Sequence, residues 1–209
     1  MSEIGKRILA IVNAGLTPCL KGQGFRKHGV NYYRIEGNGA QVLTVQSSQW
    51  NRGDSGRFRV NFGVHFPEVA KILHGSDRMP KIPSEAYCLL RAIWSIPDRW
   101  WTVEPATIAA NLVLNLGEYW QATIWPWLKA NERLPEAAKT LEKQPVSRMA
   151  AAAARLTLGE HDEAVRLVKL GIADFESALQ SQSTHPANVE LIAGHLKTLR
   201  EWAAAYHLL

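Results

Sequence analysis

Two cysteines, Cys19 and Cys88, are the whole thiol inventory of this 209-residue chain, and they form no C-x-x-C pair. That excludes a disulfide framework and a thiolate zinc knuckle, and makes a reduced, cytoplasmic setting the expectation. No apolar run approaches the roughly eighteen residues of a membrane span, so no membrane partner is expected. The opening "MSEIGKRILAIVNAGL" carries Asn13 and no cleavage site, which reads as an amphipathic helix and not as an export signal. Acids are scarce at the start: residues 1–60 hold three Asp/Glu against nine Lys/Arg, while the rest holds sixteen against fifteen. Such a local excess argues for an anionic partner and says nothing of fold.

Chemical motifs are missing too. The seven histidines form no H-x-x-x-H, H-E-x-x-H or Cys/His knuckle, so no metal is expected. "QSSQW" has serines but no G-x-S-x-G elbow, and Cys88 lies in an apolar run that suits a buried, inert thiol. "KGQGF" precedes a strand and so fails as a phosphate-binding loop, which must open a helix. No catalytic residue, metal or cofactor is assigned.

What the chain does contain is core. Apolar residues make up 46% and charged residues 21%, the mix of a globular protein, and eight tryptophans are available to anchor packing. Ile4, Ile8, Ile11, Val12 and Leu16 recur at helical spacing after Ser2, an N-cap residue. Thr17-Pro18 starts a second short turn that ends at Gly22 or Gly24. Strands are expected at 30–35, 40–50 and 57–66, with Asn38-Gly39 signalling a hairpin between the first two. The connections are too short for parallel crossovers, so pairing is antiparallel. "EVAKILHG" reads as a brief helix, and the connection that follows it, from residue 76, is irregular. Residues 86–96 fit strand or helix, and "DRWWTV" an edge strand. Pro105 opens a longer helix with Ile108, Leu112, Leu116, Tyr119 and Trp120 on one face, which Pro126 must bend or end. Beyond about residue 132 only alanine-rich helical patterns remain, including a hairpin turning at Gly159. The expected architecture is α+β: residues 1–131 form an antiparallel sheet of four to five strands packed against helices, and residues 132–209 an α-helical C-terminal extension.

"RFRVNFGVHF", residues 57–66, alternates strictly. Phe58, Val60, Phe62, Val64 and Phe66 form the core set, which turns Arg57, Arg59, Asn61 and His65 to the other side. The neighbouring strand adds Gln46 and Ser48, or Ser47 and Gln49, according to register. Arg34 and Tyr32 can join from the first strand. The candidate binding face is therefore Arg34, Gln46, Ser48, Arg57, Arg59, Asn61 and His65. Against it stands the ordinary behaviour of antiparallel sheets, which keep one polar face in water; the density of amides and serines in place of Lys and Glu speaks for a site.

In order along the chain, Leu20-Lys21-x-x-Gly24-Phe25-Arg26, Gln46-Ser47-Ser48, Phe58-x-x-Asn61, Cys88-x-x-Arg91 and Trp100-Trp101 give a further clue. Over about residues 16 to 128 this order resembles the domain-of-unknown-function family forty-three-oh-four, which is mostly bacterial. The resemblance implies an α+β domain of antiparallel strands with flanking helices, and no activity or catalytic residue.

Three functions are compatible with these features. One is a non-enzymatic interaction module that uses the polar face toward a protein, such as a bacterial immunity or regulatory partner. The second is nucleic-acid binding, with Arg26, Lys27, Arg34, Arg52, Arg57 and Arg59 on phosphates and Tyr32, Tyr33 and Trp50 on bases. The third is an enzyme with His65 or His28 as acid/base among the arginines; nothing pairs that base with an orienting group. A protein partner is the leading expectation.

Overall fold

The computed structural model of the protein describes residues 2–37, 39–75, 84–94, 96–181 and 185–209. Asn38 of the hairpin signal, and the irregular connection from residue 76 as far as 83, fall outside them. Two compact units emerge: Met1–Phe66 with Met79–Glu132, and Pro67–Arg78 with Arg133–Leu209.

In the first unit, α1 (Glu3–Gly15) begins where the Ser2 hydroxyl accepts the Gly5 N–H at 3.2 Å, and it buries Ile4, Ile8, Ile11 and Val12. Helix α2 (Thr17–Gly22) follows with proline in its first turn. The strands are β1 (Arg26–His28), β2 (Asn31–Glu36), β3 (Gly39–Ser47), β4 (Gly56–His65), β5 (Leu90–Arg91) and β6 (Trp101–Val103). They form one six-stranded sheet in the order β1-β2-β3-β4-β5, with β6 also paired to β4. Every pairing is antiparallel. Glu36 opposes Gly39 across the tight β2–β3 connection, the hairpin that the Asn-Gly signal predicts.

Register fixes which side chains share a face. Leu43 opposes both Tyr32 and Phe62, so Phe58, Val60, Phe62 and Val64 line up with Val45, Leu43 and Tyr32. Aromatic rings close this face. Phe58 stacks on Trp101 with centroids 5.6 Å apart, Trp101 meets Tyr119 edge-on at 5.2 Å, and Phe62 meets Trp127 edge-on at 5.4 Å. Tyr119 ends α4 (Ala109–Tyr119), and Trp127 belongs to α5 (Trp125–Ala130). Helices α1 and α4 approach closely at Gly15, where a Cβ would stand 2.7 Å from the Val113 carbonyl oxygen.

Helix α4 starts later than Pro105 suggests. Thr107 closes a turn on Glu104, its hydroxyl accepting the Glu104 N–H at 2.7 Å, and Ile108 is left 64% exposed before the helix begins. Leu116, Tyr119 and Trp120 do face the core. Proline's effect falls ahead of it: Trp120–Ile124 widens into a π turn whose closing Trp125 N–H reaches back to the Trp120 carbonyl. Pro126, with no N–H to give to a normal helical turn, then sits in the first turn of α5.

Residues 86–96 are neither one strand nor one helix. Among the described residues of this stretch, single 3₁₀ turns at Glu85–Tyr87 and Ala92–Trp94 flank the two-residue β5. Gly63 permits this, because a Cβ there would lie 2.6 Å from the Leu90 carbonyl oxygen and 2.7 Å from Cys88 Cβ.

The second unit is helical: α3 (Pro67–His74), α6 (Leu134–Glu142), α7 (Arg148–Thr157), α8 (His161–Gln180) and α9 (Pro186–Ala205). Helices α7 and α8 form the hairpin expected at Gly159, whose φ of 77° suits glycine. Ala151 to Ala154 are all buried, small enough to let helices close in. The helix expected in "EVAKILHG" belongs to this unit. The Trp202 indole N–H and the Tyr206 hydroxyl both donate to the Ile72 carbonyl, at 3.1 and 2.9 Å.

Candidate functional site

β3 and β4 place Gln46 directly opposite Arg59, and Thr44 opposite Asn61. Gln46 therefore shares a face with Arg57, Arg59, Asn61 and His65, and the register left open between Gln46 and Ser47 is resolved in favour of Gln46. The Gln46 Oε1 accepts two bonds, from Arg59 Nε at 2.9 Å and from Asn61 Nδ2 at 2.7 Å. Arg59 Nη1 also donates to Asp98 Oδ2 at 2.9 Å, and the Trp100 indole N–H donates to the same oxygen at 2.9 Å. The Trp100 ring then lies against two guanidinium groups, Arg57 at 4.9 Å and Arg59 at 5.0 Å from its centroid. Two arginines, an indole, a carboxylate and two amides thus form one interlocked cluster.

Exposure along this face is uneven. Gln46 and Arg57 are exposed and the Arg59 side chain is 17% exposed. Asn61 and His65 are buried, at 9% and 4%, which corrects the expectation of a wholly wet face. The His65 ring Nδ1 lies 2.7 Å from the Tyr87 carbonyl oxygen, under the Glu85–Tyr87 turn that Gly63 admits. Asn61 borders a recess walled by Ile93, Asp98 and Tyr119, whose volume of about 20 Å³ suits a water and not a substrate.

Two predicted residues lie elsewhere. Arg34 opposes Gln41, which opposes Val64, so Arg34 is on the other face of the sheet. There its guanidinium lies 5.8 Å from the Phe25 ring centroid and 5.2 Å from that of Trp125, paired to Glu36 and, at 3.6 Å, to Glu132. The cause is parity: the tight hairpin sets Arg34 in step with Tyr32, and Tyr32 is in the core. Ser48 stands just past β3, is 9% exposed, and accepts the Trp50 N–H at 3.2 Å; it shapes a turn.

Asp98 and Trp100 are the members that strand periodicity missed. Their signal was the DRWW stretch itself, an acid beside an indole in the segment leading into a strand that pairs with β4. For acid–base or thiolate chemistry the site offers little. Cys88 is buried, and that burial, reinforced by the Glu85 carboxylate and opposed by Arg91, pushes its thiol well above the usual range. Among the described residues no group of three or more His, Cys, Asp or Glu could hold a metal ion.

These features define an α+β protein whose polar cluster sits on a sheet surface, beside a recess of about 20 Å³. Over residues 16–130 the chain matches the family described as Domain of unknown function (DUF4304), and it belongs to that family. No curated protein and no solved structure gives a significant match. Among the described residues no helix is long and apolar enough to cross a membrane.

Proposed function

We propose that the chain is a non-enzymatic interaction module that engages a protein partner through the exposed end of its polar sheet face. The observation that carries this reading is the Arg57–Trp100–Arg59–Asp98–Gln46 cluster. It fixes long polar side chains in place before any partner arrives, which lowers the ordering cost of binding. Arg57 is exposed, and among the described residues no carboxylate pairs with it. A cytoplasmic, bacterial setting and a regulatory or immunity partner fit this reading.

Nucleic-acid binding draws less support. Arg34 is spent on Glu36 and Glu132, and Arg59 on Asp98. Arg26 and Lys27 sit on β1, three strands from β4 and so about 14 Å away across the sheet. A phosphate backbone needs a continuous cationic track, and these residues do not line one up.

The test is affinity capture from native lysate with the wild-type chain and with a Gln46→Ala/Arg57→Glu variant of matched melting temperature. A partner held by the wild type and lost from the variant is the expected result. Equal retention by both would remove the face from the function.

A further inference from the structure

The hydrogen-bond directions within the cluster sort its groups by polarity. Gln46 Oε1 is consumed twice, by Arg59 and Asn61, and Asp98 Oδ2 twice, by Arg59 and Trp100. Because the Gln46 oxygen is fixed inward by two donors, its amide NH₂ is fixed as the outward group. Arg57 adds a guanidinium whose described contact is the flat face of Trp100, a position that leaves its N–H edge clear. The two arginines and Asp98 together leave one positive charge on the cluster. The surface facing solvent therefore presents donors and positive charge, with two of its acceptor oxygens turned to internal use.

We infer that this donor surface recognises carboxylates, and that its occupant is an acidic segment of a partner protein, with Arg57 making the bidentate contact and the Gln46 amide donating beside it. This rests on the interaction-module reading above and names the partner's chemistry. Arg57 is the binding residue; Trp100 and Asp98 are positioning residues, Trp100 by supporting the guanidinium from beneath and Asp98 by holding the indole N–H at 2.9 Å. A guanidinium fork matches a carboxylate with two parallel bonds. A protein carboxylate fits better than a nucleic-acid backbone, because a short patch with one net positive charge can satisfy a single bidentate contact but not a run of successive phosphates.

The experiment uses the full chain and fluorescence anisotropy. The probes are a labelled glutamate-and-serine peptide, the same peptide with glutamine for glutamate, and an oligothymidylate of similar length. The acidic peptide is expected to bind and the glutamine peptide not. Arg57→Gln should weaken binding about tenfold, the worth of one charge-assisted bidentate pair, while Arg26→Gln on β1, which removes the same charge, should leave it unchanged. Equal losses from the two variants would overturn the proposal, since generic charge would then explain binding. Tighter, Arg57-dependent binding of the oligothymidylate would overturn it in favour of nucleic acid. Capture of a lysate partner that depends on Gln46 and Arg57, without binding of the acidic peptide, would end the carboxylate assignment and leave the interaction module standing. Absence of both would end both.

Discussion

Cys88 is held where it is by a missing atom. Gly63 has no Cβ, and the thiol's own Cβ occupies that space, 8% exposed at the margin of β4. Burial disfavours the thiolate, the Glu85 carboxylate disfavours it further, and Arg91 only partly compensates, so the folded chain holds this proton more tightly than an unfolded one. Since the folded pKa is raised, the stability linked to it is fully present below the unfolded value of about 8.5 and is lost as pH rises from there toward the folded value. Urea midpoints across about pH 7 to 9.5 should therefore fall on the alkaline side for the wild type and fall less for Cys88→Ala. The buried Tyr119 hydroxyl, also raised, acts with the same sign only near its own higher range. Identical slopes for the two proteins would show that Cys88 titrates alike in the folded and unfolded chain.

Elements divide into those whose forces are local and those whose forces are not. α1, the β2–β3 hairpin, β4 and the α7–α8 turn were legible, because caps, period-two alternation and turn glycines act within a few residues. β4's inner set of Phe58, Val60, Phe62 and Val64 follows from alternation alone. Its outer set did not, because the Glu85–Tyr87 turn covers His65 and Ile93 and Asp98 flank Asn61, all far along the chain, and the polarity of Asn61 and His65 gives no hint of a cover. Arg34 was misplaced for the related reason that a polar residue in a two-sided strand reveals no parity until the hairpin register is known. Of the candidate face, Gln46, Arg57 and Arg59 were readable as a group, and the Asp98 and Trp100 that lock them were not. Helix–helix clamps belong to this scale as well. Arg155 of α7 donates to Glu142 of α6 at 2.7 Å and to Glu160, just before α8, at 2.5 Å. Its side chain is 11% exposed, so Arg155→Met should cost about 2 kcal/mol by leaving Glu142 half-buried with a weaker partner in Arg166. Adding Glu142→Leu should recover most of that loss in urea denaturation. A double variant no more stable than the single one would mean that the cost lay in packing and not in the stranded carboxylate.

At the scale of the molecule, the chain does not divide at a single point. Composition places the change of character near residue 132, yet α3 lies far upstream of it and belongs with α6 to α9 in the second unit. The unit is held by contacts no composition reveals: Val69 of α3 is fully buried, and the Ile72 carbonyl takes both the Trp202 N–H and the Tyr206 hydroxyl. A chain ended at Glu132 would keep the whole sheet with α1, α2, α4 and α5 but leave α3 without those partners. An eight-residue helix alone in water is unstable, since so short a segment cannot repay its own nucleation. Limited proteolysis followed by mass spectrometry should accordingly cut the shortened chain within Pro67–His74 much faster than the full one, with β2 to β4 equally protected in both. Equal protection of Pro67–His74 in the two chains would mean that α3 draws its stability from somewhere other than α9, and would restore a division near residue 132.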